Sequence, residues 1–198
     1  MQTLDQSRKE LERAGAALTR MKEIYASPPI DVESDEAAWF AFLGALERVS
    51  YKCLSQMKGD PRCHSWAGRW STLRKEDPLL SFLSKSRGAE EHSHLEVVER
   101  GVGIRDFTRR DGPMQYKDVD GTLVPQVVLG ETYKIHLDPM TVKLKPLEYR
   151  GKAYDVPKLH LGKRLVTPTP ISLGELGIAF YAGLIQDGEK LLLGRPRG

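Results

Sequence analysis

The sequence predicts a mainly helical α+β fold, a helical bundle interrupted by a small antiparallel β insertion and closed by a C-terminal helix. Three observations predict it. Apolar residues recur at helical spacing from Leu4 to Arg87. From Glu96 to Val166 the chain is rich in Val, Tyr and Thr and punctuated by Gly and Pro, the pattern of short strands. After Pro168 and Pro170 the helical period returns. The expected organisation is a helical core over 1–95, the β insertion over 96–166, and a helix with its tail over 167–198. The apolar face of that last helix needs a partner, and the N-terminal helices are the available one.

The first helix reads as Leu4 to Tyr25, with Leu4, Leu11, Leu18 and Met21 on one face and Ser27-Pro28-Pro29 ending it. Asp31 to Asp35 reads as an acidic connection whose last residues cap the next helix. That second helix, from about Glu36 to Met57, carries a wide face of Trp39, Phe42, Leu43, Leu46, Val49, Cys53 and Met57. Gly59-Asp60-Pro61 stops it. A third, shorter helix holds Trp66 and Trp70, and a fourth opens at Asp77-Pro78, an N-cap followed by proline at N1. Gly88 is expected to fray or bend that fourth helix. In the β segment, Val119-Asp120-Gly121-Thr122 is a strong two-residue hairpin signal, and Tyr149-Arg150-Gly151-Lys152 a weaker one. Tyr133–Leu137 alternates as a strand, and Ser172 is a cap for the closing helix.

The 198 residues are 40% hydrophobic and 29% charged, ordinary for a globular chain, with a net charge of +3 and both signs mixed throughout. Met1 to Glu12 lacks the apolar stretch of a secretory signal, and no run reaches the ~18 apolar residues that span a bilayer. Two cysteines are too few for a disulfide framework, so a reducing cytoplasm is expected. Cys53, Cys63 and His64 lack the paired short spacing of a zinc module, and Gly101-Val102-Gly103 lacks the rest of a dinucleotide fingerprint. No metal or other cofactor is therefore expected. His136-Leu137-Asp138 is better read as turn chemistry before Pro139 than as part of a hydrolase.

The most informative stretch is Ser86-Arg87-Gly88-Ala89-Glu90-Glu91-His92-Ser93-His94, at the end of the fourth helix. A guanidinium can hold phosphate oxygens bidentately and stabilise charge developing on them. An imidazole that titrates near neutrality can take and give a proton. The candidate catalytic residues are Arg87 and His92, with His94 as the alternate. On an unbroken helix His92 lies about 140° round from Arg87, whereas His94 returns to nearly the same face.

Three segments together resemble the HEPN superfamily of small helical proteins, many of them RNases or inactive relatives. They are the apolar helix Ala38-Trp39-Phe40-Ala41-Phe42-Leu43-Gly44-Ala45-Leu46-Glu47-Arg48-Val49, the opening Asp77-Pro78-Leu79-Leu80-Ser81-Phe82-Leu83, and the Arg87-x4-His92 ending. The segment His160-Leu161-Gly162-Lys163, followed by Leu176 to Leu184, is also similar to uncharacterised bacterial proteins with this core. The resemblance covers roughly Asp35 to His94. It implies a HEPN-like bundle that dimerises with the two motifs facing each other. It further implies metal-independent attack by the RNA 2′-hydroxyl, with His92 as general acid/base and Arg87 on the scissile phosphate. The residue after the arginine is usually polar in that family and is Gly88 here, while Glu90 and Glu91 place negative charge nearby.

Arg69 and Arg74, interleaved with Trp66 and Trp70, and Arg109 and Arg110 in the β segment are the candidate nucleic-acid contacts. Two tryptophans at helical spacing more commonly pack a core. Expected partners are a second copy of the chain and RNA, with no membrane. The competing reading is a non-enzymatic dimer that binds a protein or nucleic acid.

Overall fold

The computed structural model describes residues 4–27, 31–93, 98–101, 104–109, 116–119, 122–125, 133–137, 141–166 and 168–193. The fold is mainly helical α+β, as expected. Among the described residues there are five α-helices, α1 (Asp5–Ala26), α2 (Val32–Lys58), α3 (His64–Glu76), α4 (Pro78–Ser93) and α5 (Pro170–Leu193), with a 3-10 turn at Pro61–Cys63 before α3. Among the described residues, ten short strands lie between α4 and α5. Contacts divide the chain into two compact units, 1–99 with 142–198, and 100–141. The second unit is shorter than the 96–166 segment suggested by composition, because the last strands belong with the helices. The strands β1 (Val98–Gly101) and β6 (Thr141–Leu144) lie where the chain passes from one unit to the other.

In the smaller unit, β2 (Ile104–Arg109) pairs antiparallel with β5 (Tyr133–Leu137), with an irregularity between Ile104 and Asp106. β3 (Tyr116–Val119) pairs with β4 (Thr122–Pro125), and Val119 faces Thr122 across a two-residue connection. The Asp120-Gly121 signal therefore sits where a hairpin is made, though those two residues lie outside the described residues.

In the larger unit the core is built from all five helices, α3 contributing Trp66 and Ala67. Helix α2 begins earlier than its apolar pattern suggests. Asp31 is its N-cap, accepting from the Ser34 N–H at 3.2 Å, so 31–35 is a cap and first turn rather than a connection. Glu33 and Asp35 in that turn suit the helix macrodipole. Helix α1 buries Ser7, Glu10, Ala14, Leu18, Met21 and Ile24, with Leu4 buried just before it, whereas Leu11 is only half-buried. Two of those buried positions are polar, which the apolar pattern could not reveal.

Glu10 is 1% exposed and is held by three cations. Arg48 Nε donates at 2.8 Å, Lys52 Nζ at 2.6 Å and Arg13 Nη1 at 2.9 Å. These contacts join the start of α1 to the end of α2, so the two helices run antiparallel. The hydrogen bonds from Arg48 and then Lys52 hold the Glu10 carboxyl at about 2, below its ordinary 4.5. A depressed folded pKa contributes stability above the unfolded value, and that contribution is lost as pH falls from 4.5 towards 2. A shift of this size corresponds to about 3 kcal/mol, which solvent screening of the exposed Arg13 and Arg48 reduces to roughly 1–2 kcal/mol. Glu10→Gln is expected to be less stable than wild type by that amount in urea unfolding at pH 7. The gap should close between pH 4.5 and pH 2; a gap independent of pH would exclude this account.

Helix α5 packs on the N-terminal helices, as its apolar face requires. Thr169 caps it, accepting from the Ser172 N–H at 3.1 Å, while its own N–H donates to Ser172 Oγ at 2.9 Å. Ser172 thus reciprocates the cap rather than providing it, and Pro170 takes N1. Ion pairs Arg8–Glu189 and Lys22–Glu175 set α5 antiparallel to α1. A Cβ on Gly174, Gly177 or Gly188 would lie 2.8, 2.9 or 2.9 Å from a leucine methyl of α1 or α4 or of Leu4 just before α1. Lack of a side chain at these three positions lets α5 settle this closely. Among the described residues, no helix is long and apolar enough to cross a membrane.

Candidate functional site

The site is built on α4, and α4 is positioned by Asp77. Its Oδ1 accepts from the Leu80 N–H at 3.0 Å, which caps the helix. The same oxygen lies 3.0 Å from His160 Nδ1, and Oδ2 accepts from the Leu161 N–H at 2.7 Å. Asp77 and His160 are 5% and 8% exposed. His160 and Leu161 belong to a hairpin of β9 (Leu159–His160) and β10 (Lys163–Arg164). Its loop places Leu161 at φ 50° and Gly162 at φ 76°. A leucine at positive φ is costly, and the bond from Asp77 holds it there.

From that cap α4 buries Leu79, Leu80, Phe82, Leu83, Ser86 and Ala89. The Ser86 hydroxyl is satisfied by the Phe82 carbonyl at 2.9 Å. The helix continues through Gly88 to Ser93. The expected fray at Gly88 does not occur, because tertiary packing supports the glycine. The neighbour is Tyr149 of β7 (Leu147–Tyr149), which pairs with β8 (Lys152–Tyr154) across Arg150 at φ 52° and Gly151 at φ 71°. This is the weaker of the two predicted hairpins. Tyr149 Cε2 and Cζ lie 2.5 and 2.9 Å from where a Gly88 Cβ would stand, so only glycine admits the ring in this position. Lys85 Nζ and Arg150 Cζ both sit over that ring, 5.2 Å from its centroid.

Arg87 is half-buried beside this contact, with interactions of its own. His92 lies on the last turn of α4, and His94 is outside the described residues. Because the helix is continuous, Arg87 and His92 of one chain are about 140° apart round its axis. One copy of α4 does not bring them to a common face.

A second polar centre lies between α2, α3, α4 and α5. Arg74 pairs through Nη2 with Glu47, donates through Nη2 to Ser84 Oγ at 2.9 Å, and through Nε to the Tyr181 hydroxyl at 3.1 Å. Burial raises the Tyr181 pKa and keeps its hydroxyl protonated. Arg74 is therefore not a loose, solvated side chain: its guanidinium is held in place by neighbours. Arg69 is exposed and lies about 140° round α3 from Arg74, so the two are not brought together. Arg109 is on β2, paired with Tyr133, and Arg110 is outside the described residues.

Trp66 is buried and Trp70 half-buried, 5.0 Å from Phe180, so the pair packs core rather than stacking on a ligand. Cys53 and Cys63 are both buried and not joined in a disulfide, and burial pushes the Cys53 thiol up to about 12. Sequence reading missed Asp77–His160 and Glu47–Arg74–Tyr181. Their partners are 83 and up to 107 residues apart, and no local signal links them. No family model matches the chain, nor does any curated protein or solved structure.

Proposed function

We propose that the chain is a HEPN-like dimer that cleaves RNA without a metal ion through Arg87 and His92. The observation that carries this reading is the unbroken course of α4 from the Asp77 cap to Ser93, with Arg87 and His92 near its end. The angle between the two positions on the helix supports a site assembled from two copies, in which the His92 of one helix meets the Arg87 of the other. There the 2′-oxygen attacks phosphorus and the bond to the 5′-oxygen breaks. His92 takes the 2′-hydroxyl proton and protonates the leaving 5′-oxygen, while Arg87 neutralises the charge gathering on the phosphate. The product is a 2′,3′-cyclic phosphate and a free 5′-hydroxyl.

The test is incubation of wild type and His92→Ala with mixed-sequence RNA in EDTA, followed by mapping of the ends. Cleavage by wild type alone, with 2′,3′-cyclic phosphate ends, is the expected result. No cleavage by either protein would overturn the catalytic reading. One observation favours the second reading, a non-enzymatic binding dimer: the Tyr149 ring occupies the space beside Gly88, where a polar side chain would otherwise stand next to Arg87.

A further inference from the structure

A cleft of about 350 Å³ opens between α2 and α3, on the solvent side of the Arg74 centre. Its volume is within the range of about 300–1,000 Å³ typical of small-molecule sites. Lys58, Arg74 and Lys75 line it against a single carboxylate, that of Glu47. That carboxylate is already paired with Arg74, so the lysines are not neutralised by it. Arg74 is fixed by Glu47, Ser84 and Tyr181 through Nε and Nη2, and these bonds do not use Nη1. A cation held in this way needs no reordering to receive an anion. Tyr51 also lines the cleft, and at 72% exposure it gives its ring to solvent rather than to the core. An aromatic face beside a group of cations is the arrangement that takes a base and its phosphate together.

We infer that this cleft binds a nucleotide unit, with its phosphate on Arg74 and Lys75 and its base against Tyr51, Lys58 adding positive charge at the other end of the cleft. The inference does not depend on cleavage at Arg87 and His92. The chemistry is the same for a free mononucleotide and for one unit of single-stranded RNA, and the test separates the two.

The test is calorimetric titration of wild type, Tyr51→Ala and the double variant Lys58→Ala/Lys75→Ala with adenosine 5′-monophosphate, inorganic phosphate and an eight-residue oligouridylate. Tyr51 is exposed, so its truncation leaves the core intact. Saturable binding of the mononucleotide or the oligomer to wild type is expected. Tyr51→Ala should weaken it about tenfold, the effect of one lost base stack, and leave phosphate binding unchanged. The lysine double variant should weaken every anion bound. Binding of the oligomer alone assigns the cleft to RNA, and binding of the mononucleotide alone assigns it to a free nucleotide. No saturable binding of either by wild type, or binding indifferent to both sets of substitutions, overturns the inference whatever happens at Arg87 and His92.

Discussion

On the proposed two-copy RNase site, a heterodimer of Arg87→Ala and His92→Ala chains is expected to recover about half the wild-type RNA cleavage, while each variant homodimer alone is expected to lose at least a hundredfold. Loss of a general acid/base should cost about 10²–10⁴-fold, and loss of the group that holds the transition-state charge about 10²–10³-fold. The recovery follows from two-fold symmetry. When each site takes its arginine from one copy and its histidine from the other, the mixed dimer holds one site with both residues and one with neither. When both residues come from the same copy, every site in the mixed dimer lacks one of them and cleavage stays absent. The continuity of α4 favours the first arrangement, since about 140° separates the two positions on one helix. Co-expression with two affinity tags, isolation of the mixed dimer and measurement of its rate in EDTA decides the matter. Circular dichroism of Arg87→Ala is the necessary control, because Arg87 is half-buried and has interactions of its own.

The order of elements was legible in the sequence wherever local chemistry and tertiary packing agree. Asp77-Pro78 opens α4, Tyr133–Leu137 is a strand, and Tyr149-Arg150-Gly151-Lys152 turns a hairpin. Each of these follows from the conformational preferences of a few adjacent residues. Where packing overrides local preference, the reading failed. Gly88 looks like a helix breaker until Tyr149 is placed on it, and then it is the residue that lets the two elements touch. Leu161-Gly162 carries no ordinary hairpin signal, because leucine resists positive φ; a hydrogen bond from the Leu161 N–H to a carboxylate 84 positions away holds the turn. Glu10 breaks the apolar stripe of α1 and is nevertheless buried, since Arg48, Lys52 and Arg13 converge on it.

The candidate site divides in the same way. Arg87 and His92 are visible in the sequence because their chemistry and spacing are local. The surroundings that decide their use are not local: Tyr149 beside Gly88, and the angle imposed by an unbroken helix. Arg74 illustrates the converse. Its basic, tryptophan-containing neighbourhood suggests a surface contact, yet Glu47, Ser84 and Tyr181 fix it, and the resulting centre opens on a cleft that no segment of the sequence announces.

Asp77→Ala is expected to lower the stability of the larger unit by about 3 kcal/mol. Loss of the cap on Leu80 contributes about 1 kcal/mol. Leaving the part-buried Leu161 N–H without its acceptor costs roughly 1–3 kcal/mol more, and His160 loses its partner in the same step. Leu161 then has nothing to hold it at φ 50°, so the β9–β10 hairpin should loosen from the head of α4. His160→Ala leaves both backbone bonds to Asp77 in place and should cost less, losing the side-chain bond to Asp77 and the ring contact with Phe180 at 6.1 Å. The double variant should cost less than the sum of the two, with a coupling of about 0.5–3 kcal/mol expected for side chains in direct contact. Urea unfolding gives the energies, and hydrogen exchange gives the location. The Leu161 and Leu80 amides should lose protection together in Asp77→Ala, and only Leu161 should weaken in His160→Ala. A loss below about 1 kcal/mol with the Leu161 amide still protected would mean that Asp77 is only a helix cap. Loss of protection at both amides would make this single carboxyl the joint that sets the start of α4, ten residues before Arg87.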